Sequence, residues 1–187
     1  MKRVLLAAMI VAATSTVASA GTYVGLGIGT APATSGDAAL DENGRSLRAQ
    51  LGYSFGHFAV EGVVNHANLD GTPWGYTSPG DMSWTTLGVA AKYNIPLGDK
   101  FEGFGRLGVQ RTFLSIENDP KFGSDDWAGS GLFGGGGFEY KMNLIAAGAS
   151  IFVDYTIAHE TLSSPKYMQE TYGLTSRVWT LGATVSF

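Results

Sequence analysis

The sequence predicts an all-β fold: an eight-stranded antiparallel up-and-down β-barrel that crosses a membrane. Three observations predict it. Hydrophobicity alternates at period two through eight separate runs, the mark of strands with two unlike faces. The links between those runs alternate between short and long. Small and charged residues hold one parity of each run, while Leu, Val, Ile and aromatics hold the other.

The elements follow in order. "MKR", an apolar run from Val4 to Ala13 and the small-x-small triplet Ala18-Ser19-Ala20 mark residues 1–20 as a cleaved signal peptide. The apolar run is too short to span a bilayer as a helix. Residues 21–187 are then one barrel domain. Run one, "TYVGLGIGT", sets Val24, Leu26 and Ile28 against glycines. Run two, "RSLRAQLGYSF", sets Leu47, Leu51, Tyr53 and Phe55 against Arg48, Gln50 and Ser54. Run three, "HFAVEGVVN", sets Phe58, Val60 and Val64 against Glu61 and Asn65. Run four, "WTTLGVAAKYNI", sets Leu87, Val89, Tyr93 and Ile95 against Lys92 and Asn94. Run five, "FEGFGRLGVQRTF", sets Leu107, Val109 and Phe113 against Arg106 and Gln110. Run six, "GLFGGGGFEY", sets Leu132, Phe138 and Tyr140 against glycines and Glu139. Run seven, "AGASIFVDYTI", sets Ile151, Val153, Tyr155 and Ile157 against Ser150 and Asp154. Run eight, "RVWTLGATVSF", sets Trp179, Leu181, Val185 and Phe187 against Thr180, Thr184 and Ser186.

Short links are expected at Gly56, "PLGDK" (96–100) and "MNL" (142–144). Long polar links are expected at about 30–44, 66–82, 114–129 and 158–174. That count puts both termini at the short-link end. A ring of about eight strands has an interior that side chains just fill. The small residues and the charges fit inside it, so the large apolar face points outward, where only lipid stabilises it. Closure leaves no backbone edge unpaired in hydrocarbon. Tyr53, Phe55, Phe58, Tyr93, Tyr140 and Phe187 form an aromatic girdle near the short links; Phe113, Tyr155 and Trp179 form one near the long links. The alternative is a soluble lipocalin-like barrel with the apolar face lining a ligand cavity. It accommodates inner-face charges poorly.

Those charges are Arg48, Glu61, Lys92, Arg106, Glu139 and Asp154, one on each of runs two to seven, three of each sign. An unpaired ion in a closed core costs several kcal/mol, so the predicted arrangement is a salt-bridged plug that fills the lumen and fixes register. Lys92 and Arg106 fall on adjacent runs and repel unless Glu61 and Glu139 reach between them. The second reading of the same charges is a narrow pore for small solutes.

Composition excludes other classes. Loss of Lys2 and Arg3 takes the basic count from 12 to 10 against 16 acids, so the net charge moves from −4 to about −6. Nucleic acid is therefore not expected as a partner. No cysteine is present, so no disulfide holds the domain. "GLGIGT" (25–30) lacks the helix of a dinucleotide site, and "GGGG" (134–137) lacks the Lys of a phosphate loop. "ENDPKFGSDD" (117–126) lacks the ordered spacing of a Ca²⁺ loop. No metal, cofactor or catalytic residue is expected. His57 is placed in a short turn, His66 and His159 in long loops. Eleven acids are assigned to those loops, among them Asp37, Asp126, Glu160 and Glu170, against Lys121 and Lys166.

"AVEG" in run three, "AAKYNIPLG" in run four, "GFEYKM" in run six and the final "TLGATVSF" resemble the small eight-stranded outer-membrane barrels, the OmpA-like and OmpX-like group, over the whole of 21–187. The resemblance implies a location in the Gram-negative outer membrane. It implies that Phe187, helped by Val185 and Trp179, is the signal read by the barrel assembly machinery. No separate periplasmic domain is expected after the barrel, so a peptidoglycan-binding role is not implied. Outer-membrane lipid and lipopolysaccharide become the expected surroundings. Arg111 and Arg177, on the outward parity near the long links, are candidate lipopolysaccharide contacts. The expected function is structural and surface-interacting: the barrel anchors four extracellular loops that meet a surface ligand. The alternatives are the narrow channel and, behind it, a lipid-modifying barrel enzyme.

Overall fold

Each alternating run becomes a strand of one continuous antiparallel sheet. The computed structural model describes residues 21–36, 41–72, 80–119, 123–143, 148–163 and 171–187. The predicted signal peptide at 1–20 lies outside the described residues, as do Asp37, Lys121, Leu144, Lys166 and Glu170. The strands are β1 (Thr22–Thr30), β2 (Ala33–Gly36), β3 (Asp41–Phe55), β4 (Phe58–Thr72), β5 (Gly80–Pro96), β6 (Phe101–Asp119), β7 (Gly123–Asn143), β8 (Gly148–Ser163) and β9 (Thr171–Ser186).

Their order is β1-β3-β4-β5-β6-β7-β8-β9, and β1 pairs again with β9, from Tyr23↔Ser186 to Gly29↔Thr180. The sheet thus closes into a ring of eight, with no edge left in its lower half. The termini meet at the seam: the Gly21 N–H donates to the Phe187 carbonyl at 3.2 Å and the Phe187 N–H to the Thr22 carbonyl at 2.9 Å. Pro32 divides the first wall strand in two, because it has no N–H for a ladder. Beyond it β2 pairs with β9 alone, from Ala33↔Arg177 to Gly36↔Leu174.

Two glycines are needed by geometry. Gly56, at φ 68°, turns β3 into β4 through the two-residue link between Phe55 and Phe58. Gly52 lies under the ring of Tyr23; a Cβ there would stand 2.2 Å from the Tyr23 Cζ.

The strands are longer than expected. β6 has 19 residues and β7 has 21, about twice the ~9–11 needed to cross the hydrocarbon. The long polar links predicted at 66–82, 114–129 and 158–174 are therefore mostly strand, and the link at 30–44 contains β2 and the start of β3. The physical reason is an inversion. In the lower half, apolar side chains point out and ions point in: Leu26 is 71 % exposed and Leu107 67 %, while Glu61 is 1 % and Asp154 0 % exposed. In the upper half the same strands keep their pleat, but the apolar parity changes sides. Leu69, Met82, Trp84, Leu114, Ile116, Trp127, Leu162 and Leu174 point inward and form one buried cluster, while Asn68, Asp126 and Thr161 on the outward parity are exposed. Outside the bilayer the wall faces water, and burial inside the ring supplies the stabilisation, roughly 1.5–3 kcal/mol per large apolar side chain.

The lower girdle is a run of ring contacts: Tyr53–Phe55 at 6.5 Å, Phe55–Phe58 at 6.3 Å and Phe58–Tyr93 at 4.9 Å, with Phe101–Tyr140 at 5.0 Å. Tyr155 and Trp179 meet at 4.6 Å. They stand mid-strand, at the upper border of the apolar band rather than beside loops.

Candidate functional site

The lumen holds two layers. The lower layer is ionic, because the inward parity of β3 to β8 carries the six charges and their side chains meet in one connected network. Lys92 and Arg106 are direct cross-strand partners, the pairing that needs a carboxylate between them. Glu61 supplies it: Oε1 is 3.5 Å from Lys92 Nζ and Oε2 is 3.2 Å from Arg106 Nη1. Lys92 also reaches Glu139 Oε2 at 3.2 Å. Asp154 Oδ2 takes Arg48 Nη1 at 2.5 Å and Arg106 Nη2. The result is an alternating chain, Glu139–Lys92–Glu61–Arg106–Asp154–Arg48, in which each interior member has two partners of opposite sign.

Neutral groups complete it. The Tyr23 hydroxyl donates to Glu61 at 2.5 Å, Arg48 Nε donates to Asn65 Oδ1 at 2.8 Å, and the Ser150 hydroxyl donates to Glu139. Lys92 stands 4.4 Å from the centre of the Phe104 ring. At the short-link mouth, Lys141 pairs with Glu102 at 2.6 Å. Asp99, midway in sequence between Lys92 and Arg106, sits exposed in the 97–100 turn.

The upper layer is the apolar cluster. Between the layers lies a cavity of about 30 Å³ lined by Pro32, Ser46, Asn65, Thr86, Gln110 and Ser176 among others. It has room for one or two waters and none for a solute. Glu160, assigned from sequence to a solvated loop, is instead 1 % exposed on β8. It accepts hydrogen bonds from Gln110 Nε2 at 2.7 Å and Ser176 at 3.5 Å. His66 and His159 are likewise strand residues, on β4 and β8. Each is exposed and each meets a cross-strand threonine through Nδ1, His66 with Thr85 at 2.9 Å and His159 with Thr175 at 3.0 Å. His57 lies in the β3–β4 turn, its ring 6.1 Å from that of Tyr93. Among the described residues, no three His, Asp or Glu side chains gather as a metal site.

Sequence reasoning missed Tyr23, Glu160 and the apolar layer. Their signal was present: "DMSWTT" and "AHETL" continue the alternation with its apolar parity reversed. Of the remaining candidates, Trp179 and Val185 point outward on β9, and Phe187 is 47 % exposed at the seam. Arg111 is exposed on β6, its guanidinium carbon 5.4 Å from the centre of the Phe113 ring. Arg177, exposed on β9, donates to the Ser35 hydroxyl at 3.1 Å.

Solved barrels share this architecture. Neisserial surface protein A is 16 % identical, with a TM-score of 0.62, over 92 % of this chain and 100 % of its own. OprG from Pseudomonas aeruginosa is 21 % identical, with a TM-score of 0.59, over 91 % and 97 %. Ail, the attachment invasion locus protein of Yersinia pestis, is 16 % identical, with a TM-score of 0.51, over 90 % and 100 %. At these identities the likeness is one of fold. No curated protein sequence matches this one. The model of the outer membrane protein beta-barrel domain matches residues 4–187, so the lipid-facing band stands in the outer membrane. By its fold and by that match, the chain belongs to the outer membrane protein beta-barrel family.

Proposed function

We propose that this protein is a closed barrel that carries no solute and no reaction of its own, and that it serves as a rigid stalk presenting its extracellular end to a surface ligand. The observation that supports this reading is the pair of seals in series: an ion-paired layer and, above it, an apolar layer. A hydrated solute would have to break the first and dewet through the second. The strands themselves continue past the bilayer, so the loops start from a stiff platform. One structural neighbour is named an attachment invasion locus protein, and attachment is a role that such a stalk would serve.

Planar-bilayer recording on the refolded barrel checks the reading. No stable conductance steps are expected from the unmodified protein, nor from Glu61→Ala, because the apolar layer stays shut. Steps in the unmodified protein that alter on Lys92→Ala would sink it and favour the channel.

The seam residue Phe187 is also proposed to carry the assembly signal that the family resemblance implies, with Val185 and Trp179 on the same outward face. Deleting Phe187 removes two seam hydrogen bonds at the mouth and leaves the ion chain intact. Refolding in detergent is therefore expected to survive, while the amount inserted in cells falls at least severalfold. Equal loss in both assays would make Phe187 a stability residue only.

A further inference from the structure

The ion chain of the lumen balances three cations against three acids. It leaves one buried acid out. That acid is Glu160, 1 % exposed on β8. It stands above the apolar band, beyond the outward Tyr155 and Ile157, at the floor of the upper apolar layer. Its cross-strand partner on β9 is Leu174, and the next inward residue of β8 is Leu162; both belong to that layer. Gly131 shapes the seat. It pairs with Gln110 on one side and with Glu160 on the other, and a Cβ there would stand 2.7 Å from the Glu160 Cα. With no side chain between them, Gln110 reaches across β7 to the carboxyl.

Both hydrogen bonds to that carboxyl go to one oxygen. Oε1 accepts from Gln110 Nε2 at 2.7 Å and from the Ser176 hydroxyl at 3.5 Å. Oε2 is buried and meets no donor. The Thr112 hydroxyl lies beside the same carboxyl, and its oxygen is likewise buried without a hydrogen-bond partner. An ionised carboxylate needs a donor or a cation at each oxygen. A protonated one needs only an acceptor for its hydroxyl, and Thr112 offers one. We infer that Glu160 carries a proton on Oε2 in the folded barrel, donates it to the Thr112 hydroxyl oxygen, and so keeps the floor of the apolar seal neutral.

The surroundings hold nothing that would balance the charge instead. Among the described side chains, β6 presents Gln110 and Thr112 to it, β7 two glycines, β9 Leu174 and Ser176, and the far wall Ala67 and Trp84. His159 beside it points outward. Arg48 lines the cavity below, and Asp154 holds it. Burial pushes the Glu160 carboxyl above the ordinary glutamate range, against the hydrogen bonds from Thr112, Gln110 and Ser176 that pull it down. An unpaired carboxylate in so dry a site costs more than taking up a proton, so the group neutralises.

The proton couples the seal to pH. Unfolded, Glu160 ionises in the ordinary range, near ~4.3; folded, it stays protonated well above that. The folded state binds the extra proton, so the folded-to-unfolded ratio falls as pH rises from the ordinary value to the folded one, by up to about tenfold per unit. Above both values the acid is charged in each state and the loss is complete. The seal is therefore firm in mildly acid surroundings and weakens toward alkali.

Two measurements test this, on refolded barrels first checked for the folded gel mobility. Urea unfolding in lipid vesicles at about pH 5 and about pH 7 compares the unmodified protein with Glu160→Gln, which keeps the shape and cannot ionise. Between the two, the folded-to-unfolded ratio of the unmodified protein is expected to fall more than about tenfold further than that of the variant. The histidines and the ionic layer are common to both and cancel. Infrared difference spectra in an ester-free detergent at neutral pH should show one protonated-carboxyl band that Glu160→Gln lacks and that Thr112→Val shifts. Parallel pH curves, or no such band, would overturn the inference. A band that Thr112→Val leaves in place would overturn the pairing with Thr112. None of these outcomes depends on whether the lumen conducts.

Discussion

Asp154→Asn is expected to lower the unfolding free energy of the barrel by about 3–5 kcal/mol, the usual loss when one partner of a buried ion pair is removed. The shape hardly changes, so no cavity contributes. What changes is charge. Asp154 Oδ2 is the acceptor shared by Arg48 and Arg106, all three at or below 6 % exposure. Without it Arg48 keeps only neutral acceptors, Asn65 and Thr156, and Arg106 keeps Glu61. The lumen then carries an uncompensated positive charge in a dry ring. Glu160→Gln is the matched control. Its hydrogen-bond donors, Gln110 and Ser176, are neutral, so the change should cost no more than about 1–2 kcal/mol. Urea unfolding in lipid vesicles, followed by tryptophan fluorescence and by heat-modifiable gel mobility, gives both numbers. Equal costs for the two variants would mean that the chain of ions is incidental to stability.

The lower half of the fold was legible because its binary pattern has one cause. Lipid outside and a tight lumen inside sort most residues by parity, so Val24, Leu107 and Val153 announce the outside, and Arg48, Glu61 and Asp154 the inside, where Phe104 and Phe152 fill the remaining space. The two-residue turn at Gly56 and the closing seam at Phe187 follow from strand count and link length. The upper half was read as loops because its residues are mixed: "NHANLDGT" and "DMSWTT" look polar when averaged. The alternation persists there, and only its sign changes, since water replaces lipid outside. Glu160 shows the cost of averaging. Beside His159 and Thr161 it looks like a surface acid, yet its parity is that of Asp154 and Ala158. Which carboxylate reaches which cation was legible only in part: the repulsion of Lys92 and Arg106 called for Glu61 and Glu139 between them, and Glu61 meets both cations while Glu139 reaches Lys92 alone. Glu61 crosses the lumen to Arg106, two strands away, a contact that depends on barrel curvature and side-chain reach and not on sequence spacing.

The inversion itself makes the second large prediction. Leu107 and Ser115 lie on the same strand and the same outward parity, and their heights along the barrel axis differ by about 20 Å for a strand tilted ~40°. If the lipid border runs at Arg111, between them, the same substitution must behave oppositely at the two sites. Leu107→Arg puts a guanidinium near the bilayer midplane, between Ala91 and Gly134, which offer it no partner; it should cost about 2–4 kcal/mol. Ser115→Arg puts one in water. It gives up the hydroxyl's 2.5 Å bond to the exposed Asp126 but offers that carboxylate a cation, so the net change should stay within about 0.5 kcal/mol. Spin labels at the two positions should report oxygen-rich acyl chains at 107 and water at 115. A cost of several kcal/mol at both sites would extend the hydrocarbon up the full length of β6 and leave the buried apolar layer without its cause. No cost at either would take the lipid away from Leu107, and with it the reason for placing ions inside the ring.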